Sequence, residues 1–177
     1  MEYIKLVGAA LVIFAGAGFG ACPVHKIRER TKEMEELYFC LLRLRSEINH
    51  AVRPLPEAFR SAAESRQGTV GGVYRNAMKQ LAVRMERGRE SYEVLLRESA
   101  QESFKGSVVS KEEQEVFVRN FLLLGGADRE RQSQVLEYYA EAVRMAIAQE
   151  KQKKKERAYL YRSLGILGGI FLSVILY

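Results

Sequence analysis

The sequence has few of the residues on which catalytic and metal sites are usually built. Its 177 residues include no tryptophan, three prolines, two cysteines and two histidines. His25 and His50 have no evident nucleophile beside them, and the paired glutamates have basic neighbours, as residues on solvated helix surfaces do. We therefore predict that the protein is not an enzyme and needs no cofactor.

Two cysteines are too few for a disulfide framework. Cys22 lies within an apolar segment, and Cys40 lies in a stretch with helical periodicity. If residues 27–52 form one helix, Cys40 and His50 are ~15 Å apart along its axis and cannot share one Zn²⁺. The sequence therefore predicts no metal site and two inert thiols in a reducing compartment.

Both ends of the chain are apolar. Residues 6–22 carry no charge, and neither do residues 164–177. A membrane helix needs ~17–25 residues, and the second segment reaches that length if Arg162 extends toward the headgroups. The predicted layout is therefore a membrane helix over residues 4–22, a helical domain over 24–159 and a second membrane helix over 160–177.

Lysine and arginine are concentrated on the inner side of both predicted spans. They recur through residues 26–32 and again through residues 151–157, whereas the outer sides carry Lys5 alone. By the positive-inside rule, the domain is cytoplasmic and both chain ends lie across the membrane. Because the second basic run adjoins a predicted span, we expect it to contact anionic lipid rather than nucleic acid.

A lipoprotein signal is the alternative reading of the N-terminal segment. Phe19-Gly20-Ala21-Cys22 loosely imitates the box in which the cysteine is lipidated after cleavage. Phenylalanine is poor at the first position of that box, and a basic run directly after the cysteine hinders export. We therefore favour a membrane helix and keep lipidation of Cys22 as an open alternative.

Each predicted span contains two glycines four residues apart. They are Gly16 and Gly20 in the first span, and Gly165 and Gly169 in the second. Small residues at this spacing let helix backbones approach closely in lipid, although glycine is also common in membrane helices generally. The spacing is consistent with helix packing within the membrane, including packing in a homo-oligomer.

The middle of the chain is predicted to be helical throughout. Apolar residues recur every three or four positions over 27–52, and Pro54-Leu55-Pro56 then stops the helix. Capping and breaking residues divide the rest into a helix from Pro56, one over 73–87, one from Tyr92 to Phe104, one from the Ser110–Glu113 capping box and one from Asp128. On the last helix the predicted apolar face is Val135, Tyr138, Tyr139, Ala142, Val143 and Ala146. The fold class is therefore all-α, with a six-helix bundle-like domain between two membrane helices.

Several short motifs, in this order and spacing, resemble the stage III sporulation protein AB family over nearly the whole chain. They are Lys5-Leu6-Val7-Gly8, Leu41-x-x-Leu44-x-x-Glu47-Ile48, Pro54-Leu55-x-Glu57-Ala58, Leu124-Gly125-x-x-Asp128-Arg129-x-x-Gln132 and Ser163-Leu164-Gly165. The resemblance implies a cytoplasmic domain similar to the six-helix domain of type II secretion and type IV pilus platform proteins. Pro54-Leu55-Pro56 departs from the family's single proline, which leaves the start of the second helix open.

The resemblance also implies a function and a set of partners. The protein would be the membrane platform of a secretion-like channel joining mother cell and forespore. It would lie in the cytoplasmic membrane of the mother cell and dock a cytoplasmic secretion-type ATPase beside the channel's other membrane components. The alternative is a membrane-anchored helical adaptor or regulator without a secretion role. A neighbouring gene for a secretion-type ATPase would favour the platform.

Two groups of residues are candidates for the function of the domain. Arginines expected to meet acidic ATPase surfaces are Arg43, Arg45, Arg84, Arg87, Arg89, Arg129 and Arg131. Motif residues expected to have structural roles are Glu47, Pro54, Leu55, Glu57, Ala58 and Asp128. For Glu47 two interpretations stay open, a hydrogen-bond partner between helices and an exposed contact with the ATPase.

Overall fold

The computed structural model of the chain describes residues 28–64, 72–88 and 90–176, without the side chains of residues 154, 157–162 and 164–176. These residues form six helices and no strand, which confirms the all-α class for this part of the chain. Helix α1 covers residues 28–46 and continues as a π-helical turn, Glu47–Ala51. The other helices are α2 (Leu55–Glu64), α3 (Val73–Arg87), α4 (Tyr92–Phe104), α5 (Lys111–Leu122) and α6 (Arg129–Leu176).

Local side-chain chemistry sets several of these helix ends. The Ser110 hydroxyl accepts a hydrogen bond from the Glu113 amide at 3.3 Å, and the Glu113 carboxylate accepts one from the Ser110 amide at 2.9 Å. This capping box satisfies two amides that would otherwise lack partners at the start of α5. At the end of α3, Gly88 takes a left-handed conformation with φ 62°, which glycine adopts without steric cost. Both ends are as predicted.

The core of the helical domain contains an aromatic cluster from four helices. Phe117 and Phe121 of α5 are stacked with ring centroids 4.1 Å apart, and Phe59 of α2 stacks on Phe121 at 5.6 Å. Tyr74 of α3 and Phe104 of α4 meet edge to face at 5.1 Å. All five residues are buried. The cluster therefore joins α2, α3, α4 and α5 through contacts that favour aromatic pairs beyond their buried area.

Helices α1 and α6 run antiparallel beside each other. The Arg45 guanidinium of α1 donates to the Glu137 carboxylate of α6 at 2.8 Å and to the Ser133 hydroxyl at 3.2 Å. One turn later, the Asn49 amide also donates to Ser133, at 2.8 Å. These contacts fix the register of the antiparallel pair: residue numbers increase along α1 while the numbers of their partners decrease along α6.

The predicted apolar face of α6 was wrong at two positions. Tyr138 and Ala142 are exposed, whereas Leu136 and Ala140 are buried with Tyr139. The helix carries apolar residues in adjacent pairs, so two faces fit the 3.6-residue period equally well. Burial against the other helices selects between them. The second helix likewise begins at Leu55, one residue before the predicted start.

The domain and the terminal segments form two units. Arg30–Ile147 is the compact helical domain, and the other unit consists of the two chain ends. The predicted span over 4–22, with Gly16 and Gly20, lies outside the described residues. In the other predicted span the backbone is helical through Leu176. Among the residues described, none belongs to a helix that combines the length and the hydropathy needed to cross a bilayer.

Candidate interaction site around Glu47

The end of α1 has an unusual backbone. Its last turn is π-helical, and the next residue, Val52, has φ 55° and ψ 33°. A β-branched side chain in this left-handed region costs on the order of 1–3 kcal/mol. The Val52 side chain is nevertheless 56% exposed. The strained backbone therefore places an apolar side chain in solvent, where it gains little from burial.

Glu47 is the first residue of this turn and links it to the neighbouring helix α2. The residue is 4% exposed. Its carboxylate accepts a hydrogen bond from the Ser61 hydroxyl of α2 at 2.7 Å and pairs with Arg43 at 2.7 Å and Arg53 at 3.3 Å. A buried carboxylate is tolerated when its charge and lone pairs are satisfied in this way. Of the two interpretations of Glu47, this geometry matches the partner between helices.

A polar groove of about 510 Å³ opens beside Glu47. Arg60 and Glu86, which form an ion pair, join α2 to α3 along one wall. The residues lining the groove are Arg43, Arg53, Glu57, Arg60, Ser61, Glu64 and Glu86. Three arginines and three glutamates balance in charge, so the groove does not favour a simple anion. It offers instead a set of donors and acceptors suited to a protein surface.

Two of the family motifs meet at this junction between α1 and α2. Leu41, Leu44 and Ile48 of the first motif are buried on the face of α1 that adjoins Glu47. In the second motif, the Pro54 carbonyl accepts the first hydrogen bond of α2 from the Ala58 amide at 3.0 Å. Leu55 begins α2, Ala58 is buried and Glu57 lines the groove. The motifs therefore combine core packing with the local geometry of the groove.

Asp128 belongs to a different junction. Its carboxylate accepts a hydrogen bond from the Arg131 amide at 2.8 Å, and its carbonyl accepts one from Gln132 at 2.9 Å. These are the bonds of a residue that caps the start of α6. Asp128 thus stabilises a helix end and does not contribute to the groove.

The seven arginines predicted to bind a partner do not form one surface. Arg43 lines the groove beside Glu47, and Arg45 is paired with α6. Arg84 bridges Glu98 and Glu102 of α4, in a second groove that Arg87 also lines. Arg129 and Arg131 lie exposed in the first turn of α6, and Arg89 lies outside the described residues.

Sequence reasoning missed Arg53 and Arg60, which line the groove with Arg43. Arg53 carried a usable signal, because it directly precedes the Pro54 motif. Arg60 carried none beyond its position on α2. Its place in the groove depends on how α2 packs against α3, which no local pattern reveals.

The remaining candidate chemistry is structural. Within the described ranges, no three His, Cys, Asp or Glu residues are grouped as metal ligands. Cys40 is buried, its thiol contacts the Ala62 carbonyl at 3.7 Å, and burial raises the pKa of the thiol to about 11. Such a thiol is mostly protonated near neutral pH and reacts slowly.

Comparison with known proteins supports one family. No curated protein matches the chain. A solved structure titled "Stage III sporulation protein AB (SpoIIIAB)" is 20% identical, with a TM-score of 0.61, over 72% of this chain and 98% of its own, and so shares the fold. The model of the stage III sporulation protein AB family (spore_III_AB) matches residues 5–177. The chain therefore belongs to the stage III sporulation protein AB family.

Proposed function

We propose that the protein is the membrane platform of a sporulation-specific, secretion-like channel between mother cell and forespore. In this role it is a scaffold rather than an enzyme, and it docks a cytoplasmic secretion-type ATPase. Membership of a sporulation family supports the setting. The family resemblance implies a domain similar to that of secretion platform proteins, and this analogy of fold is the support for the role.

The observation that carries the proposal is the continuity of α6. One helix of 48 residues, Arg129–Leu176, contains both residues of the domain core, such as Leu136 and Val143, and the C-terminal apolar segment. No glycine or proline interrupts it between residues 129 and 164. The chain thus leaves the domain core and enters the segment predicted to lie in the membrane without a break in the helix, and this continuity supports the proposed link between them.

The proposed docking surface for the ATPase consists of the groove beside Glu47 and of Val52, which directly precedes Arg53 of the groove. Val52 supplies an exposed apolar side chain, and Arg43 and Arg53 supply half-exposed guanidinium groups held in place by Glu47. Arginine is among the residues that dominate the binding energy of protein interfaces, and the exposed valine adds an apolar contact beside two of them. The exposed arginines at the start of α6, Arg129 and Arg131, are the competing surface.

Docking can be tested with the full chain in detergent and the purified ATPase. We expect Val52→Asn to weaken binding about tenfold, or about 1.4 kcal/mol, because the apolar contact is lost. Val94→Asn is the matched control, since Val94 is also an exposed valine but lies on α4. Equal binding by Val52→Asn and the control would reject this surface. Loss of binding only in Arg129→Glu/Arg131→Glu would assign docking to the start of α6.

The alternative function is a membrane-anchored adaptor with no secretion role. The open, charge-balanced groove fits that role as well, because it would accept other cytoplasmic proteins. Failure of the wild-type chain to bind the ATPase, with the domain folded, would favour the adaptor.

A further inference from the structure

Two adjacent helices, α1 and α6, each carry two exposed large apolar side chains. Among the described residues, eight large apolar side chains are exposed, and four of them lie on α1 and α6. We call these four residues the α1–α6 face: Phe39 and Leu42 on α1, and Tyr138 and Met145 on α6. Tyr138 is 77% exposed and Met145 is 57% exposed. Apolar side chains clustered in this way mark an interaction surface more often than isolated ones do.

The register of the two helices places these residues within the same two turns. Arg45 contacts Glu137 and Asn49 contacts Ser133, so α1 descends as α6 rises. In this register Leu42 and Phe39 lie at levels between Tyr138 and Met145. The four exposed side chains therefore share two turns of the helix pair, with the Arg45–Glu137 and Glu141–Arg144 ion pairs among them.

Two ion pairs on this surface, Arg45 with Glu137 and Glu141 with Arg144, contribute no net charge. Glu141 and Arg144 lie between Tyr138 and Met145 along α6 and form a bidentate pair at 2.9 and 2.7 Å. Hydrogen bonding to Arg144 lowers the pKa of Glu141, so the pair stays ionised at neutral pH. The whole chain has a formal charge of +6. Two copies of a basic protein repel each other least through a surface without net charge.

We propose that the α1–α6 face binds the same face of a second copy of this chain, forming a two-fold symmetric dimer. Two copies inserted in one membrane have the same orientation, so identical faces can meet about an axis normal to the bilayer. Tyr138, Ala142 and Met145 follow the four- and three-residue steps by which one helix packs along another. Glu141 of one copy can then pair with Arg144 of the other. The proposal rests on membrane insertion but not on docking of the ATPase.

Cysteine cross-linking of the full chain in vesicles tests this dimer. We would place single cysteines at Tyr138, Met145, Phe39 or Leu42, oxidise with copper phenanthroline and measure the dimer on non-reducing gels. At one or more positions we expect about tenfold more dimer than with Val94→Cys, because a bound pair holds its thiols at a high effective concentration. Chains with the native cysteines alone give the background, to which buried Cys40 contributes little.

A second set of variants separates the dimer from random collision. Tyr138→Glu/Met145→Glu should reduce cross-linking through Leu42→Cys to the level of Val94→Cys, because two like charges are placed opposite their copies. Circular dichroism should show unchanged helix content, since both side chains are exposed. Cross-linking no greater than the control at all four positions overturns the proposal. So does a product that forms only in native membranes and contains a different protein. Topology reporters on the same variants show separately whether insertion has failed.

Discussion

The junction between α5 and α6 and the junction between α1 and α2 differ in how their backbones are accommodated. In the first, glycine takes the positive φ, since Gly126 has φ 85°, and Asp128 caps the next helix. In the second, a valine takes the positive φ and a buried carboxylate needs two arginines. Both junctions are short, so connecting helices does not require the second arrangement. The difference supports our proposal that the α1–α2 junction contacts a partner.

A close approach at the α5–α6 junction gives the largest predicted effect on stability. A Cβ atom at Gly125 would lie 2.2 Å from a ring carbon of Tyr92, whose hydroxyl donates to the Phe121 carbonyl at 2.8 Å. We expect Gly125→Val to lower the free energy of unfolding by about 3 kcal/mol, through overpacking against this ring. Urea unfolding of the full chain in detergent, followed by circular dichroism, measures it.

The control for this substitution is Gly126→Ala. Nothing lies within 4 Å of a Cβ at Gly126, so only its positive φ is penalised. We expect a loss of about 1 kcal/mol. Equal losses at the two glycines would show that Tyr92 can move aside, and the junction would then be less tightly packed than we argue.

Removal of the buried Glu47 carboxylate should have the next largest effect on the free energy of unfolding. Glu47→Ala should cost about 2 kcal/mol, because Ser61 and two arginines lose a charged hydrogen-bond partner. Arg43 and Arg53 are half-exposed and can be rehydrated, which keeps the cost below that of a fully buried pair. Glu57→Ala, in the exposed wall of the same groove, should have almost no effect on urea unfolding. A similarly small effect of Glu47→Ala would contradict its role between the helices.

Relief of the backbone strain at Val52 should raise the free energy of unfolding, whereas the preceding substitutions lower it. Val52→Asn is expected to raise the free energy of unfolding by about 1 kcal/mol, because asparagine tolerates the left-handed conformation. The same variant is expected to weaken ATPase docking. A gain in stability with a loss of binding would separate function from folding at this residue. If Val52→Asn is destabilising, the left-handed turn is not a source of strain.

The smallest effect is expected at the second groove. Arg84 is partly exposed, and its partners Glu98 and Glu102 are about half-exposed. Arg84→Ala should cost less than about 1 kcal/mol, as surface ion pairs do. If the variant also binds the ATPase normally, Arg84 contributes neither to stability nor to docking. A loss of binding without a loss of stability would add this arginine to the docking surface.

These contrasts also show what the sequence could predict. The caps at Ser110 and Gly88 were predictable because they depend on neighbours within one turn. The environment of Glu47 was not, since its partner Ser61 lies on another helix and the π-turn has no sequence signal. The exposed face of α6 was mispredicted at Tyr138 because adjacent apolar pairs leave the helix phase undetermined. The helices and their ends could thus be predicted from local sequence. The candidate sites could not, because they depend on how the helices pack against each other.

Topology is the measurement that tests the account most directly. A reporter fused after Leu160 and another after Tyr177 would show on which side of the membrane each point lies. We expect the first in the cytoplasm and the second outside, so that α6 links a cytoplasmic domain to a crossing segment. Both reporters in the cytoplasm would contradict the link across the membrane. An exported first reporter would exclude docking of a cytoplasmic ATPase and would favour lipidation at Cys22.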